Sequence, residues 1–372
     1  MSMWLGLDDT DYLDGGCTTL VFHELLEAIP CDYGKPRLTR LWPFASRRTR
    51  GNASLSVEIF AGEEIIPWLD SYWNKKILPL AGKISSSHHS DRKQYPADPG
   101  MTLFHEQPDE EYYWKAVRGE VEYYKGGIQW GGNGRIGAAA SCAWRENHPT
   151  WEGIAWRSGK RNVQNSVLSI VDKMEGTFLC RDPRNNRGLI SPRGNCPVMF
   201  GVRATSYQTA NDATKLLITG SGPVTGYRIF TTNQASGDHI ESVRSDIVVQ
   251  KDVITGGHVL INDTYVAFSE SGDVNKLCQW LKIGDRFDCV GLEYDGVIHI
   301  EGIKIIESRI KTRPICSCGV RMKSMGKGQG VRCPKCKEIR ENGWDISNRK
   351  PPIVGWAQPD PDKRRHLAKL SL

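Results

Sequence analysis

The sequence predicts an α+β multidomain protein, and three features support this expectation. The N-terminal segment places a short apolar strand before a helix. Residues 151–231 carry patterns in the order β–α–β–β–α–β, and four cysteines cluster near the C-terminal end. A chain of 372 residues exceeds one average domain. The predicted segments are 1–146, 147–240, 241–308, 309–345 and a C-terminal tail, 346–372.

The opening stretch MWLGLDDTDYLDGGCTTLVFHELLEAI predicts a buried strand that ends in carboxylates. Apolar residues 4–7 are followed by Asp8, Asp9 and Asp11. Carboxylates this close repel each other unless a cation lies among them, and Mg²⁺ bound to phosphate oxygens supplies that charge. We therefore expect these aspartates to take part in metal–phosphate chemistry.

A glycine-rich turn and a helix follow these aspartates. Gly15, Gly16 and Cys17 lead to Thr18, after which apolar residues recur at helical spacing. A helix start presents free N–H groups, so a triphosphate is expected between the aspartates and the Thr18 amide. The alternatives are that Thr18 serves only as an N-cap and that the acidic turn is a solvated loop.

A basic loop joins the next two predicted strands, residues 37–44 and 54–60. Within RRTRGNAS, Arg50 and Asn52 flank a glycine and are candidate ligand contacts, although an ordinary basic loop is the simpler explanation of this segment by itself. Helices are predicted at 63–78 and 110–124, and residues 85–100 are predicted to form a mobile loop.

A second glycine-rich helix entrance follows in KGGIQWGGNGRIGAAASCAW. It matches neither a Walker loop nor a dinucleotide fingerprint. Its glycines permit close backbone approach to a ligand, and in the same domain as the aspartates it favours nucleotide binding. The predicted contacts here are Gly131, Gly132, Asn133, Gly134 and Arg135.

The middle of the chain predicts a ferredoxin-like domain. The expected elements are a strand at 151–156, a helix at 163–174, strands at 177–181 and 197–204, a helix at 211–218 and a strand at 227–231. The polar connection RDPRNNRGLISPRGNCP is expected to face ligand or RNA. The loop TTNQASGDH offers amide and carboxylate groups for a cationic substrate, although turn chemistry alone also explains it. The candidate residues in this loop are Asn233, Gln234, Asp238 and His239.

The next segment predicts a small nucleic-acid-binding barrel. Short strands are expected at 247–249, 258–261, 265–268, 286–292 and 297–305, with a helix at 274–281. Five strands in this length are typical of an OB fold, and an SH3-like barrel gives almost the same pattern.

Cysteine spacing predicts a structural zinc site near the C-terminus. Cys316, Cys318, Cys333 and Cys336 form a Cys₄ set in which the first pair is one residue shorter than usual. Few apolar residues surround them, so Zn²⁺ is expected to supply most of the folding energy of a zinc ribbon. The tail after this module is rich in proline and charge and is expected to be partly disordered.

Charge points to a polyanionic partner at the same end of the chain. The formal charge of +6 is modest, but residues 309–337 contain nine basic residues and no acidic one. Candidate RNA contacts are Lys323, Lys327, Arg332 and Lys335. No apolar run reaches the roughly 18 residues that span a bilayer, and scattered cysteines fit a reducing compartment. We therefore expect a soluble cytoplasmic protein without a membrane partner, and the sequence does not indicate its oligomeric state.

Together these motifs resemble the archaeal tRNA-isoleucine 2-agmatinylcytidine synthetase family. The resemblance rests on LDDTD with GGCTT, RTRGNAS, GNGRIGA, NNRGLISPRGNCPVMFG, TTNQASGDH and the cysteine ribbon, in that order along nearly the whole chain. It implies a kinase-like α/β catalytic domain, a ferredoxin-like agmatine-binding domain, an OB-fold barrel and a zinc ribbon.

The resemblance also implies a reaction. The family uses ATP to phosphorylate the 2-oxo group of the wobble cytidine of the isoleucine tRNA with a CAU anticodon, and the amine of agmatine then displaces the phosphate. It implies that Asp8, Asp9 and Asp11 hold Mg²⁺ on ATP and that Thr18 is phosphorylated.

Two alternatives remain at this stage. The D-T-D pattern is similar to that of haloacid-dehalogenase-like phosphohydrolases with Asp9 as nucleophile, but those enzymes have Thr or Val where this chain has Leu13. A non-catalytic RNA-binding protein built from the barrel and ribbon would leave the acidic turn and both glycine-rich entrances unexplained.

Overall fold

The computed structural model describes residues 1–12, 15–48, 51–84, 93–192, 194–341 and 343–372. The chain forms two compact units. Unit 1 contains Met1–Glu241 and Arg364–Ser371, and unit 2 contains Ser242–Lys363 with the terminal leucine. Among the described residues, no helix is long and apolar enough to cross a membrane.

Unit 1 is built on one mixed sheet with helices on both faces. Its strands are β1 (Ser2–Asp8), β2 (Asp32–Tyr33), β3 (Arg37–Arg40), β4 (Ala53–Phe60), β5 (Gly100–Phe104), β6 (Ile128–Gly131), β7 (Thr150–Arg157), β8 (Thr177–Phe178), β9 (Arg181–Asp182), β10 (Arg187–Gly188), β11 (Val198–Ala204) and β12 (Val224–Thr232). Its α-helices are α1 (Thr18–Ala28), α2 (Ile66–Tyr72), α3 (Glu110–Arg118), α4 (Gly134–Ala143), α5 (Asn165–Val171) and α6 (Tyr207–Thr219).

The ten-stranded sheet joins two segments that the sequence predicts as separate domains. Its order is β6-β5-β1-β4-β3-β12-β7-β11-β8, with β2 paired to β4. The parallel pairing of β3 with β12 connects the two parts, where Thr231 lies opposite Arg37. Residues on either side of the predicted 146/147 boundary therefore share one hydrogen-bonded sheet.

Strand β1 shows why this sheet is covered on both faces. Side chains alternate along a strand, so Leu5 and Leu7 pack with Phe22 of α1 in one cluster, whereas Trp4 packs with Ala139 of α4 on the other side. The short side chains of α4 allow this helix to lie close to the sheet. This arrangement fixes the C-terminal end of β1 between α1 and α4.

All six elements predicted for residues 151–231 are present, and local chemistry explains the errors elsewhere. The strand predicted for residues 37–44 ends at Arg40, because Pro43 cannot donate a ladder hydrogen bond. The helix predicted for residues 110–124 ends at Arg118, followed by an extended Gly119. Helix α1 has Cys17 at its N-cap without a side-chain cap bond, so the assignment of Thr18 as N-cap is wrong.

The C-terminal tail is ordered where the sequence predicts partial disorder, so that prediction is wrong. Residues Asp345–Asn348 pair with Arg309–Thr312, and Trp356–Ala357 pair with a strand of unit 2. Residues 364–371 belong to unit 1, where Leu367 is 3% exposed and packs with Tyr113 and Trp144. Sequence composition missed this because a few buried apolar side chains anchor an otherwise polar segment.

Unit 2 contains a seven-stranded sheet, a helix and a small cysteine-bearing module. The strands are β13 (Arg244–Ile247), β14 (Lys251–Ile254), β15 (His258–Ile261), β16 (Tyr265–Ala267), β17 (Arg286–Tyr294), β18 (Val297–Glu307), β19 (Arg309–Thr312), β20 (Lys323–Ser324), β21 (Val331–Arg332), β22 (Ile339–Arg340), β23 (Asp345–Asn348) and β24 (Trp356–Ala357), and the helix is α7 (Asp273–Trp280). The main order is β13-β17-β18-β16-β15-β14, with β24 on β18. Of the seven strands of this sheet, the sequence predicts β15, β16, β17 and β18, places β13 three residues late at 247–249, and misses β14 and β24; the helix is predicted.

Replacing Leu367 by alanine tests whether the C-terminal segment is part of unit 1. Removal of a buried leucine side chain should lower the free energy of unfolding of unit 1 by about 2–5 kcal/mol. Leu370→Ala is the control, since Leu370 is 36% exposed and should change stability by less than about 0.5 kcal/mol. Equal, small effects of both substitutions on thermal and urea unfolding would contradict the observed packing.

Candidate active site

Three aspartates at the end of β1 line one side of a pocket of about 410 Å³. Asp8 ends the strand, and the Asp9 amide donates to Asp8 Oδ1 over 2.7 Å. Asp9 has a φ of 58°, a conformation that aspartate tolerates better than most residues. Asp11 lines the same pocket. The pocket is large enough for a nucleotide-sized ligand.

Burial and repulsion by neighbouring carboxylates disfavour the charged forms of Asp8 and Asp9. Loss of hydration, followed by the Asp9 carboxylate, raises the pKa of Asp8 well above its ordinary value. Loss of hydration, then Asp11 and then Asp98, raises the pKa of Asp9 to about 8. Arg47 opposes the shift at Asp9 only in part. Among the described residues, only the cysteines of unit 2 bring ligand atoms close enough to hold one metal ion, so Mg²⁺ at these aspartates stays a prediction.

We call the group of Asp8, Asp9 and Asp11 the aspartate corner. Asp98 is a fourth carboxylate near this corner, and no sequence motif predicts it. Its Oδ2 accepts from the Asn133 amide over 2.8 Å and lies 3.4 Å from Arg47 Nη2. It belongs to the region predicted as a mobile loop, of which residues 85–92 lie outside the described residues. No local signal identifies Asp98, because β1 and this loop are distant in sequence.

The glycines of α4 permit its close approach to the aspartates. A Cβ at Gly137 would lie 1.8 Å from Asp8 Oδ2, and a Cβ at Gly134 would lie 2.5 Å from the Asp8 carbonyl oxygen. Gly132 packs in the same way against Asp98, and Gly131 against Pro99. The lack of side chains at these glycines therefore lets the backbone pack closely against Asp8 and Asp98. Direct contact of residues 131–135 with a nucleotide stays a prediction.

Thr18 lies against the aspartates through its side chain. Its hydroxyl donates to Asp11 Oδ1 over 3.3 Å and accepts from the Thr10 hydroxyl over 3.3 Å. Gly16 has a φ of 66°, and with Gly15 it forms the turn that brings Asp11 back onto the start of α1. Thr18 is thus buried beside a carboxylate at the pocket.

Other predicted nucleotide contacts are divided between the pocket and its surroundings. Cys17, Asn52 and Asn133 line the pocket, and the Asn52 side chain donates to the Trp42 carbonyl over 2.7 Å. Arg135 instead stacks on Tyr123 at 4.3 Å. Arg50 lies outside the described residues. The connection after β10 contributes residues 189–192 to the pocket wall, in line with its predicted position facing a ligand.

The same pocket is also lined by a charged cluster that no sequence motif predicts. Arg40, Glu152 and Arg203 all line the pocket. Glu152 Oε2 lies 3.5 Å from Arg40 Nη2, and Glu152 Oε1 lies 3.9 Å from Arg203 Nε. His366 also lines the pocket, and its Nδ1 lies 3.1 Å from Gln234 Oε1.

The candidate substrate residues of the loop 231–239 hold this cluster together. The Asn233 side chain bonds both the backbone N–H and the carbonyl of Arg40, at 2.7 and 2.9 Å, and so continues the pairing of β12 with β3 beyond Thr232. The Gln234 side chain donates to Glu152. Tyr113 donates to Asp238 Oδ2 over 2.5 Å.

His239 is buried and lines a second, smaller pocket of about 180 Å³. The structure therefore assigns structural contacts to Asn233, Gln234 and Asp238. Substrate binding by the four predicted residues of this loop stays a prediction.

The cysteine module of unit 2 fits a structural zinc ion. The ligand sulfurs of Cys316, Cys318, Cys333 and Cys336 lie within 4.8 Å of one another. Four thiolates this close match the tetrahedral set of structural zinc, so the shortened first pair does not prevent convergence. The predicted RNA contacts nearby are all exposed: Lys323, Lys327, Arg332 and Lys335.

Three models of one family match most of the chain. The TiaS TCKD domain matches residues 4–126, the TiaS FLD domain residues 132–239 and the TiaS C-terminal zinc ribbon domain residues 313–349. The chain belongs to the TiaS family. The TCKD match contains the aspartate corner, and the FLD match contains Glu152, Arg203 and the 231–239 loop. The last segment, with His366, lies beyond all three matches.

Curated and solved members of the TiaS family are similar over nearly their full length. The isoleucine-tRNA 2-agmatinylcytidine synthetase TiaS of Pyrobaculum neutrophilum is 27% identical, covering 99% of this chain and 95% of the relative. That of Methanopyrus kandleri is 29% identical, covering 98% and 96%. The crystal structure of a TiaS complex with isoleucine tRNA and ATP superposes with a TM-score of 0.76 at 25% identity, covering 99% of this chain and 96% of the other.

Replacing Asp9 by asparagine should stabilise this TiaS-family chain in the absence of Mg²⁺ and nucleotide. Folding raises the pKa of Asp9 from 3.8 to about 8. Between these values the folded protein keeps a proton that the unfolded chain has lost, so wild-type stability falls as pH rises. The gain in melting temperature of Asp9→Asn should therefore increase up to about pH 8 and then level off. Exposed Glu175→Gln is the control, and no gain at pH 8 would contradict the prediction.

Loss of zinc should unfold the ribbon alone. Cys318→Ser removes one thiolate, so we expect loss of bound zinc and rapid hydrogen exchange in residues 313–349, while exchange in unit 1 is unchanged. Ser317→Ala keeps all four ligands and should retain the metal. Metal analysis and hydrogen exchange measure both effects, and a protein that never contains zinc would refute the site.

Proposed function

We propose that this chain is an isoleucine-tRNA 2-agmatinylcytidine synthetase, which uses ATP to attach agmatine to the wobble cytidine of the CAU-anticodon isoleucine tRNA. The aspartate corner beside a nucleotide-sized pocket carries the proposal, because it provides the metal–phosphate site that the activation step needs. Family membership and the activity printed for the relatives support it. The solved relative with isoleucine tRNA and ATP supports both ligands.

Activation is needed because the 2-oxo group of cytosine is a poor leaving group. A phosphoryl group from ATP converts this oxygen into a phosphate ester, the agmatine amine forms a bond to C2, and the C2–O bond breaks to release phosphate. When bound at Asp8, Asp9 and Asp11, Mg²⁺ would neutralise phosphate charge. The raised pKa values of Asp8 and Asp9 favour this assignment, since a cation would remove the repulsion among the three carboxylates.

Thr18 and Asp11 form an acid–hydroxyl pair beside the other aspartates. Asp11 Oδ1 accepts from the Thr18 hydroxyl, so it can take the proton if this oxygen is phosphorylated, as the resemblance implies. The target cytidine has to leave its stack to reach the pocket, which costs roughly a few kcal/mol that pocket contacts offset.

Strand order supports the domain assignments that we propose. We assign residues 1–146 to the kinase-like catalytic domain and residues 147–240 to a ferredoxin-like agmatine-binding domain. The order β12-β7-β11-β8 with α5 and α6 supports the second assignment. We assign residues 241–308 to an OB fold. Strands β13 and β14 follow each other in the chain but lie at the two opposite edges of the main sheet. A short connection between the two edges requires the sheet to curve, which favours a barrel.

The basic ribbon, 309–345, is assigned to tRNA binding through phosphates. Its exposed lysines and arginines suit contacts that position the tRNA without reading its sequence. A tRNA substrate also favours the cytoplasm as the site of action.

Incorporation of labelled agmatine is the direct test. The protein is incubated with ATP, Mg²⁺, radiolabelled agmatine and CAU-anticodon isoleucine tRNA, with omission of ATP as the control. ATP-dependent label in the tRNA at the wobble cytidine supports the proposal. RNA binding without label would favour a non-catalytic RNA-binding protein, and ATP-independent release of phosphate from small esters would favour a phosphohydrolase.

Replacing Gly137 by alanine should lower agmatine incorporation at least about tenfold. The added Cβ would displace the Asp8 carboxylate, and a shift of about 1 Å in a catalytic group can cost a hundredfold in rate. Gly159→Ala is the matched control, because no heavy atom lies within 4 Å of its added Cβ. Unchanged incorporation with Gly137→Ala would refute the role of the Asp8 position.

Replacing Lys327 by alanine should weaken tRNA binding and leave ATP binding unchanged. Loss of one phosphate contact should reduce the slope of log affinity against log salt by about 1. Lys173→Ala, an exposed lysine of unit 1, serves as the control. An unaltered salt slope would count against a phosphate contact at Lys327.

A further inference from the structure

The pocket that the aspartates line also holds two arginines against one carboxylate. The side chains of Arg40, Arg203 and Glu152 are 13%, 15% and 5% exposed. All three line the pocket, and both arginine–glutamate distances are long, at 3.5 and 3.9 Å. We call Arg40 and Arg203 the guanidinium pair. Its members come from β3 and β11, and Glu152 comes from β7, which lies between them in the sheet order.

The neighbouring groups do not supply the missing negative charge. Gln234, which donates to Glu152, is neutral. The Arg40 guanidinium, then loss of hydration and then Arg203, hold the pKa of His366 well below its usual range, so this ring is uncharged at neutral pH. The cluster thus carries a net charge of one positive unit in a mostly buried position, and an unpaired charge in such a position is costly.

Hydrogen-bond donors of the pair are also unused. Arg40 makes two weak side-chain bonds, to the Gly51 carbonyl over 3.4 Å and to Glu152 over 3.5 Å. Within the part of the chain that the structure describes, the Arg203 side chain has no hydrogen bond, and Nε of both arginines is buried without a partner. Native proteins satisfy most buried donors, so such a pair indicates an anionic ligand.

We propose that the guanidinium pair is a phosphate-binding subsite of the active-site pocket. Guanidinium groups match phosphate oxygens through paired N–H donors, whereas agmatine is a cation and is repelled here. The inference deepens the proposed function and rests on it for the source of the phosphate. That source is a phosphodiester of the tRNA beside the target cytidine or a phosphate of ATP.

The test compares Arg203→Met with a matched control, Arg228→Met. Arg228 is likewise mostly buried, but it is paired with Glu27 and does not line the pocket. The first probe is inorganic tripolyphosphate, which carries the phosphate chemistry without a nucleoside or an RNA, so it does not depend on the proposed function. Its affinity is measured by thermal shift and calorimetry for wild type and both variants.

Two further arms identify the source. Mg-ATP affinity is measured for the same three proteins. The affinity for an anticodon stem-loop RNA is measured with natural phosphates and with a neutral methylphosphonate at the phosphate flanking the wobble cytidine. If this phosphate binds Arg203, the substitution in the RNA and Arg203→Met should each weaken binding, and together they should weaken it no further.

Arg203→Met should lower the affinity for tripolyphosphate, and for either Mg-ATP or the stem-loop RNA, about 10- to 100-fold. This is the range expected for loss of a charge-assisted hydrogen bond. Arg228→Met should change neither. The melting temperature of Arg203→Met should be equal to or above that of wild type, because Arg40 and Glu152 then form a neutral pair, so a fall in affinity is not a folding defect. Unchanged affinity for tripolyphosphate, ATP and RNA in a folded Arg203→Met protein overturns the subsite. Lack of agmatine incorporation by wild type refutes the proposed function alone.

Discussion

The structure of this TiaS-family chain depends on holding several carboxylates together in a partly buried corner. Asp8 and Asp9 meet at the end of β1, and Asp98 approaches from a different loop. Their arrangement costs free energy in the absence of a cation, as the direction of the pKa shifts of Asp8 and Asp9 shows. The fold maintains it by packing α4 against β1 at backbone distance, which requires glycine at positions 134 and 137.

The second organising feature is the continuous sheet of unit 1. Because β3 pairs with β12, the strand that contributes Arg40 is connected directly to the segment that contributes Glu152. The Asn233 side chain then continues this pairing through two hydrogen bonds to the Arg40 backbone. The pocket is therefore lined both by the aspartates and by the cluster of Arg40, Arg203 and Glu152, which two segments of one sheet bring together.

The C-terminal segment shows how a polar stretch becomes part of a site. The Ala235 amide donates to the His366 carbonyl, and the Gly237 amide donates to the Leu367 carbonyl, so the segment docks on the 231–239 loop through its backbone. The His366 ring then contacts Gln234, which in turn contacts Glu152. Gln234, which the sequence predicts as a substrate ligand, thus links the C-terminal segment to Glu152 of the pocket.

By itself, the sequence determined the features whose members lie close together along the chain. Such features are the three aspartates within four residues, the strand and helix pattern between 151 and 231, and the two cysteine pairs. Because each of them is visible in a short stretch of sequence, motif and periodicity were enough to predict the acidic corner, the order of elements along the chain and the zinc site. Only the tertiary structure decided that Asp98 joins the corner, that Arg40, Glu152 and Arg203 form a charged cluster in the same pocket, and that the tail returns to unit 1. These residues are separated by many tens of positions, and they meet because β-sheet pairing and helix packing, rather than local sequence, bring their strands and loops together.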